Sequence, residues 1–170
     1  MRMGGGIRVE RTGYTWHFWA VVRPEFRKLA PHLYLQAYPS EVADSALSDF
    51  QQELQRVSPD LDTPHAWIAD FAGILSTTAV QRKMFASHQQ KVEAVDRFHN
   101  AGAAIVISNA VVRGAVTAVY WLKPPVYPYR FVSTREEALL WTAEQLGQRG
   151  VSVDLARARL ELLRGQTKDR

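Results

Sequence analysis

Polar side chains follow three predicted strands at the points where helices are predicted to begin. They are Asp70 with Ser76 and Thr77, then Asn109 with Arg113, and finally Ser133 with Thr134. In open α/β sheets, ligands gather at the carboxyl ends of the strands, and the free N–H groups of a helix N-terminus attract anions. Arg113 lies about one turn into its helix, where a guanidinium can complete a phosphate or carboxylate site. These residues predict a surface for an anionic ligand or a partner protein at one edge of the sheet.

The same residues also have simpler structural roles. Ser, Asn and Thr are preferred N-caps, so Ser76, Asn109 and Thr134 fit as helix caps, and Arg113 fits as a solvated or ion-paired surface residue. Asp70 at a strand end is a possible general base. No histidine or second carboxylate is paired with it in the sequence, so we expect Asp70 to accept hydrogen bonds from backbone N–H groups of the following turn.

No catalytic or metal-binding motif accompanies these residues. The chain has no cysteine, which excludes disulfides, thiolate metal sites and cysteine catalysis. The five histidines lack metal-ligand spacing, and there is no GxSxG, P-loop or dinucleotide fingerprint. His88 falls on the apolar stripe of its predicted helix, and we interpret it as a core residue. We predict a protein that is not an enzyme and uses no cofactor or metal.

Composition and charge limit the partners. The 170 residues fit one domain, and the net charge of +4 comes from scattered basic residues rather than a basic stripe with interleaved aromatics. We therefore predict no nucleic-acid partner. No apolar run approaches the ~20 residues of a membrane span, and no signal-peptide pattern follows Met1. We expect a soluble cytoplasmic protein without an integral membrane segment.

Alternating strand and helix patterns over residues 66–146 predict the elements that position the polar side chains. The short apolar runs suit strands buried on both faces. The predicted strands occupy 66–71, 103–107 and 129–132. The predicted helices occupy 78–100, 110–122 and 134–147. This order predicts an α/β fold with parallel strands and covering helices.

Within these helices, the spacing predicts which residues face the core. In the first helix we expect five residues to point inward: Val80, Met84, Val92, Val95 and Phe98. Gly114 in the second helix costs about 1 kcal/mol relative to alanine, and we interpret it as allowing close packing against the sheet.

The chain before residue 66 is predicted to form a hairpin followed by a helix. Alternating aromatic and β-branched residues over 14–22 predict a strand, with a second one at 33–38 antiparallel to it. Residues 24–31 are predicted to link the two strands. Ser40 is the predicted cap of a helix that ends near Ser58.

Residues near the two ends of the chain complete this picture. Ser152 is the predicted cap of a last helix, so we assign 1–150 to one α/β domain and 151–170 to an appended helix and tail. One face of the predicted strand at 14–22, which includes Trp19, is too apolar for full exposure. Either a partner or the last helix covers that face.

The quoted segments resemble a family of known proteins. Asp70-Phe71-Ala72-Gly73, Arg113-Gly114-Ala115-Val116-Thr117-Ala118 and Phe131-Val132-Ser133-Thr134, with Trp121 and Trp141, look like small bacterial proteins of the STAS/Sec14-like type, which are related to the anti-sigma-factor antagonists. The resemblance covers about half the chain. It implies a single mixed sheet of four to five strands with helices mainly on one face, here with an extra C-terminal helix.

The resemblance also implies a role. It implies a non-enzymatic regulatory or scaffold module that acts through protein–protein interaction, with another protein or as a homodimer, using Trp19, 76–78 and 109–113 as contact surfaces. In the antagonist branch, phosphorylation of a serine in a turn that starts a helix switches partner binding. Ser76, Thr77 and Thr78 occupy that turn here, and the Asp-Ser-Ser-Gly type sequence of that branch is absent. The alternative is a Sec14-like carrier of a lipid or small anionic ligand near the strand ends.

Overall fold

The protein folds around one five-stranded mixed sheet, in a computed structural model that describes residues 23–57 and 62–166. The strands are β1 Glu25–Ala30, β2 Leu33–Ala37, β3 His65–Asp70, β4 Asn100–Val106 and β5 Tyr129–Val132. The helices are α1 Asp44–Val57, α2 Ala79–His99, α3 Ala110–Leu122, α4 Arg135–Gln148 and α5 Leu155–Gln166. The sheet order is β1-β2-β3-β4-β5, with β1 antiparallel to β2 and the other pairs parallel. The predicted fold class is confirmed, whereas the predicted strand at 14–22, with Trp19, lies outside the described residues.

Helices cover both faces of the sheet. α1, α2 and α3 lie on one face, and α4 and α5 lie on the other. Because side chains alternate along a strand, Ala104 and Val106 of β4 join the α4–α5 core, whereas Ile105 and Ile107 join the core under α1 and α3. Burial on both faces explains why the central strands are almost wholly apolar.

The C-terminal helix is part of this core. Ala158 and Leu162 of α5 are buried in the same cluster as residues of the sheet and α4. Arg27 of β1 donates from Nη1 to the Glu161 carbonyl at 2.6 Å. Within the described residues, α5 therefore packs as an integral layer over β1 and α4.

Several element boundaries match the predictions and others do not. α3 and β5 have the predicted bounds. The predicted link at 24–31 is wrong, because most of it forms β1, which turns into β2 through His32 at a positive φ of 66°. α1 begins at Asp44, four residues after Ser40, and the Val42 carbonyl accepts a 2.8 Å bond from Gln81 Nε2 of α2. A helix that began at Ser40 would use the Val42 carbonyl for a hydrogen bond within the helix, whereas here that carbonyl accepts from Gln81.

Other predicted caps and inward residues also need correction. Asp154, not Ser152, precedes α5, and its Oδ1 accepts from the Arg157 N–H at 3.0 Å. Val80 and Phe98 are 55% and 68% exposed, so the prediction that they face inward is wrong. Both lie in the end turns of α2.

The predicted role of Gly114 is also wrong, and another glycine has it. Beyond its own helix turn, a Cβ at Gly114 would have no atom of the described residues within 4 Å, so no described element packs against this position. A Cβ at Gly102 of β4 would lie 3.0 Å from Trp141 Cη2 of α4 and 3.2 Å from Gln145 Cγ. The missing side chain at Gly102 therefore allows the Trp141 ring to lie on the sheet.

Among the described residues, no helix is both long and apolar enough to cross a membrane.

Candidate functional site

A pocket separates α2 and α3 from the face of the sheet that they cover. We call it the α2–α3 pocket. It has a volume of about 120 Å³ and a largely apolar and aromatic lining. Trp67 and Ala69 of the central strand β3 stay half-buried rather than fully buried, although helices cover this face. Their residual exposure shows that the helices do not close over the middle of the sheet.

Small side chains account for the space. Ala69 and Ala103 form part of the floor, and Ala115 of α3 lies in the opposite wall. Each projects only a methyl group into the gap between the helices and the sheet. Val112 and Val116 also line the pocket. Val112 is buried in the core under α1 and α3, and Val116 is partly buried against that core.

Aromatic rings make the walls flat. Tyr38 stacks on Phe71 with ring centroids 4.5 Å apart, and Phe85 of α2 meets both rings edge-on at 5.7 Å. Trp67 lies on the floor beside this group. Such walls favour an apolar or aromatic guest, because rings pack well in stacked and edge-to-face arrangements.

One region of the pocket is polar but uncharged. Burial raises the pKa of Tyr120 and of Tyr127 well above 10, and a hydrogen bond from the Gln89 side chain offsets part of that rise. Burial likewise raises the pKa of Tyr38. All three phenols are therefore neutral at physiological pH. The Oε1 atom of Gln89 is buried and has no hydrogen-bond partner among the described residues.

His88 also lines the pocket, one residue before Gln89 on α2. Burial lowers its pKa from 6.5 to about 4, against an opposing effect from Asp96. Its Nδ1 lies 3.5 Å from Gln55 Nε2 of α1. At neutral pH the imidazole is therefore uncharged, and it serves as a polar part of the wall rather than as a fully buried core residue.

This depressed pKa makes folding stability depend on pH. The unfolded chain binds a proton on His88 below pH 6.5, whereas the folded protein binds it only near pH 4. The contribution of His88 to the free energy of unfolding is therefore fully present above pH 6.5 and is lost as the pH decreases toward 4. The loss is about 2 kcal/mol between roughly pH 7 and pH 5. Urea unfolding at both pH values measures the loss. The variant His88→Gln should lose most of this dependence, and an equal loss in the variant would contradict the assignment.

The two charged residues that line the pocket are held by other protein groups. Arg82 donates from Nη1 to the Thr77 carbonyl at 2.8 Å. The buried Asp96 accepts from Asn100 Nδ2 at 3.3 Å and lies 3.9 Å from His65 Nε2. The centre of the pocket is thus uncharged, and the charges lie toward the two ends of the α2 segment that lines it.

Asp70, predicted at a strand end, is buried, and its carboxylate bonds to other groups of the protein. It is 3% exposed, its Oδ1 accepts from the Ala72 N–H at 2.9 Å, and its Oδ2 pairs with Arg135 Nε at the start of α4. The backbone bond is the one expected from the sequence. The ion pair with Arg135 joins the end of β3 to α4, on the opposite face of the sheet from the α2–α3 pocket.

The other predicted residues are divided between caps and the pocket. Asn109 and Thr134 are the N-caps of α3 and α4, but the cap of α2 is Thr78 rather than Ser76. Thr77 lines the α2–α3 pocket, and its Oγ1 is buried without a hydrogen-bond partner among the described residues. Ser76 is exposed.

Arg113 does not line this pocket. Its Nη2 donates to the Ile107 carbonyl at 2.9 Å, and its guanidinium lies 5.8 Å from the centre of the Phe131 ring. The described contacts of the Arg113 guanidinium are therefore with the end of β4 and with β5. They bring no second predicted residue to the guanidinium.

The sequence reasoning missed most of the residues that line the pocket. On α2, Phe85, His88, Gln89, Val92 and Asp96 recur at helical spacing and face the sheet. A stripe that mixes apolar residues with histidine, glutamine and aspartate was the available signal. Of the polar residues in this stripe, only His88 was singled out, because polar residues on a core-facing stripe usually bond within the core.

No metal site accompanies the pocket. Within 23–57 and 62–166, no three His, Asp or Glu side chains converge as metal ligands would. Comparisons with protein-family models, curated proteins and solved structures find no match to this chain. The STAS/Sec14-like resemblance stays a prediction.

Proposed function

We propose that this protein is a non-enzymatic carrier that binds a small, largely apolar molecule in the α2–α3 pocket. The observation that carries the proposal is the half-buried Trp67 and Ala69 in the middle of a sheet covered by helices. Residues at the centre of a covered sheet are normally buried, so an opening above them has a stability cost. Binding sites are commonly apolar clefts of this kind with a few convergent polar groups.

The size of that cost supports the proposal. A closed cavity of 120 Å³ would lower stability by about 3 kcal/mol, at roughly 24 cal/mol per Å³, and this is the upper limit for a pocket that opens partly to water. That is a large part of the 5–15 kcal/mol typical of a folded domain. A ligand that fills the space recovers the lost contacts, whereas a purely structural domain gains nothing from leaving it open.

The chemistry of the lining selects among the ligands expected from the sequence. An anionic ligand was expected to use Arg113, which does not line the pocket. The centre of the pocket holds neutral phenols, an amide and a neutral imidazole. An uncharged, apolar molecule fits this lining better than an anion, because a charge buried without a partner is costly.

Native mass spectrometry of protein purified gently from its host tests the proposal. We expect the polypeptide mass plus that of one small molecule, released on mild activation. Protein that carries no added mass, and that no small apolar compound stabilises against heat, would contradict it. Ligand binding to the folded state raises the melting temperature by mass action, so the thermal test is independent of co-purification.

A second candidate function is self-association at the helix starts. Leu75 and Val111 are 66% and 72% exposed, and Asn109, the cap of α3, donates from Nδ2 to the Leu75 carbonyl at 3.3 Å. This apolar surface overlaps the segments 76–78 and 109–113 that the sequence predicts as contacts. Residues 71–81 contain no charged side chain, so this part of the surface brings no like-charge repulsion between two copies.

Sedimentation equilibrium tests this second candidate. The wild type should form a dimer, and the double variant Leu75→Asp/Val111→Asp should weaken it by at least about 100-fold, because each carboxylate would be buried unpaired. Leu163→Asp, at an exposed position of α5, is the matched control and should leave the dimer intact. A wild type that stays monomeric at high concentration would exclude this candidate.

A further inference from the structure

The Gln89 amide is incompletely paired inside the pocket. Its side chain contacts the phenols of Tyr120 and Tyr127, but its Oε1 is buried and has no partner among the described residues. A buried polar atom left unpaired costs about 1–3 kcal/mol, so a ligand atom that pairs with it gains affinity. A hydroxyl both donates and accepts, and it therefore pairs with the free end of the amide whichever way the amide faces.

The walls and the volume limit the body of the ligand. Tyr38, Phe71 and Phe85 present ring faces and edges to the pocket, and a further ring can pack against them. The volume of about 120 Å³ is close to that of an engineered cavity of about 150 Å³ that binds benzene. The space therefore matches one aromatic ring with small substituents.

The two charged side chains that line the pocket each have a hydrogen bond within the protein, and the histidine between them on α2 is neutral. Arg82 is bonded to the Thr77 carbonyl, Asp96 is bonded to Asn100, and His88 is neutral at pH 7. A charged group at the centre of the pocket would have no counter-ion there. The ligand should therefore be neutral where it meets Gln89.

We infer that the α2–α3 pocket takes a single-ring aromatic alcohol of the phenol class, whose hydroxyl pairs with the Gln89 amide beside Tyr120 and Tyr127. This inference rests on the proposed function and adds to it the chemical class of the ligand. The ring packs among Tyr38, Phe71 and Phe85, and the hydroxyl supplies the partner that Gln89 lacks.

Phenol and toluene are matched probes, because they share a ring and differ only in a hydroxyl against a methyl group. Titration of the full chain with each probe, followed by amide NMR shifts, gives two dissociation constants. We expect phenol to bind at least about 10-fold more tightly than toluene, since a site with a free polar group discriminates against an analogue that cannot pair with it. In the variant Gln89→Leu, whose side chain has a similar size, this preference should vanish or reverse.

The outcomes separate the inference from the proposed function. If both probes bind the wild type equally, or if toluene binds more tightly, the phenol assignment is overturned while the pocket remains a binding site. If phenol is preferred but Gln89→Leu keeps the preference, the assignment to Gln89 is overturned. If neither probe shifts the amides of pocket residues and no small molecule co-purifies, the inference and the proposed function fail together.

Discussion

Replacing Ala69 with phenylalanine should abolish ligand binding and leave the protein folded. Ala69 lies on the floor of the α2–α3 pocket, on a central strand that is paired with a neighbouring strand on each side. A phenyl group there occupies the space that a ligand needs. We expect affinity for phenol to fall at least about 100-fold, because the pocket offers no alternative volume of that size. The free energy of unfolding should stay within about 1 kcal/mol of the wild type or rise, since filling a cavity stabilises.

The matched control for this variant is Ala94→Phe. Ala94 is exposed on α2, the helix that lines the pocket, and does not itself line it. Phenol binding by this variant should equal that of the wild type. Retention of wild-type affinity by a folded Ala69→Phe protein would show that the ligand binds elsewhere. Ala69→Leu, which adds less volume, provides a milder version of the same test.

Replacing Gly102 with leucine should have the largest effect on stability. A Cβ at this position already lies 3.0 Å from the Trp141 ring and 3.2 Å from Gln145, so the rest of the leucine side chain must displace α4 from the sheet. Overpacking of a tight core costs about 3 kcal/mol. Urea unfolding monitored by tryptophan fluorescence gives the change.

Replacing Gly114 with leucine should have the opposite effect on the free energy of unfolding. In the part of the chain that the structure describes, no other element lies within 4 Å of a Cβ at Gly114, and leucine favours the helix over glycine by about 1 kcal/mol. Gly114→Leu is therefore expected to stabilise the protein. In the double variant Gly102→Leu/Trp141→Ala, the cost should be well below the sum of the single costs, because the two side chains compete for one space. Additive costs would contradict the proposed clash.

Local signals were sufficient for much of the secondary structure. The bounds of α3 follow from the Asn109 cap and the Lys123-Pro124-Pro125 stop, and both are properties of adjacent residues. The capping role of Thr134 was likewise readable, since its Oγ1 accepts from the Glu137 N–H. By contrast, the start of α1 depends on Gln81, 39 residues after Val42 in the chain, and no local pattern reports that bond.

The candidate site was predictable only in part, because it too depends on contacts between residues that are far apart in the chain. Thr77 and His88 were singled out from the sequence and do line the pocket, but Gln89 and Tyr120 were not. Glutamine and tyrosine are common on ordinary surfaces. They become a site only when α2, α3 and the loop before β5 bring them together.

The sequence by itself determined the alternation of strands and helices, and with it the single mixed sheet, because hydrophobic period, caps and prolines act over a few residues. The tertiary structure decided what the polar residues do. It joined Asp70 to Arg135 on one face of the sheet, and on the other face it left the Oε1 atom of Gln89 without a partner among the described residues. Whether a helix lies tightly on a sheet depends on the volumes of residues far apart in the chain. Gly102 brings α4 close, whereas Ala69, Ala103 and Ala115 leave the α2–α3 pocket open.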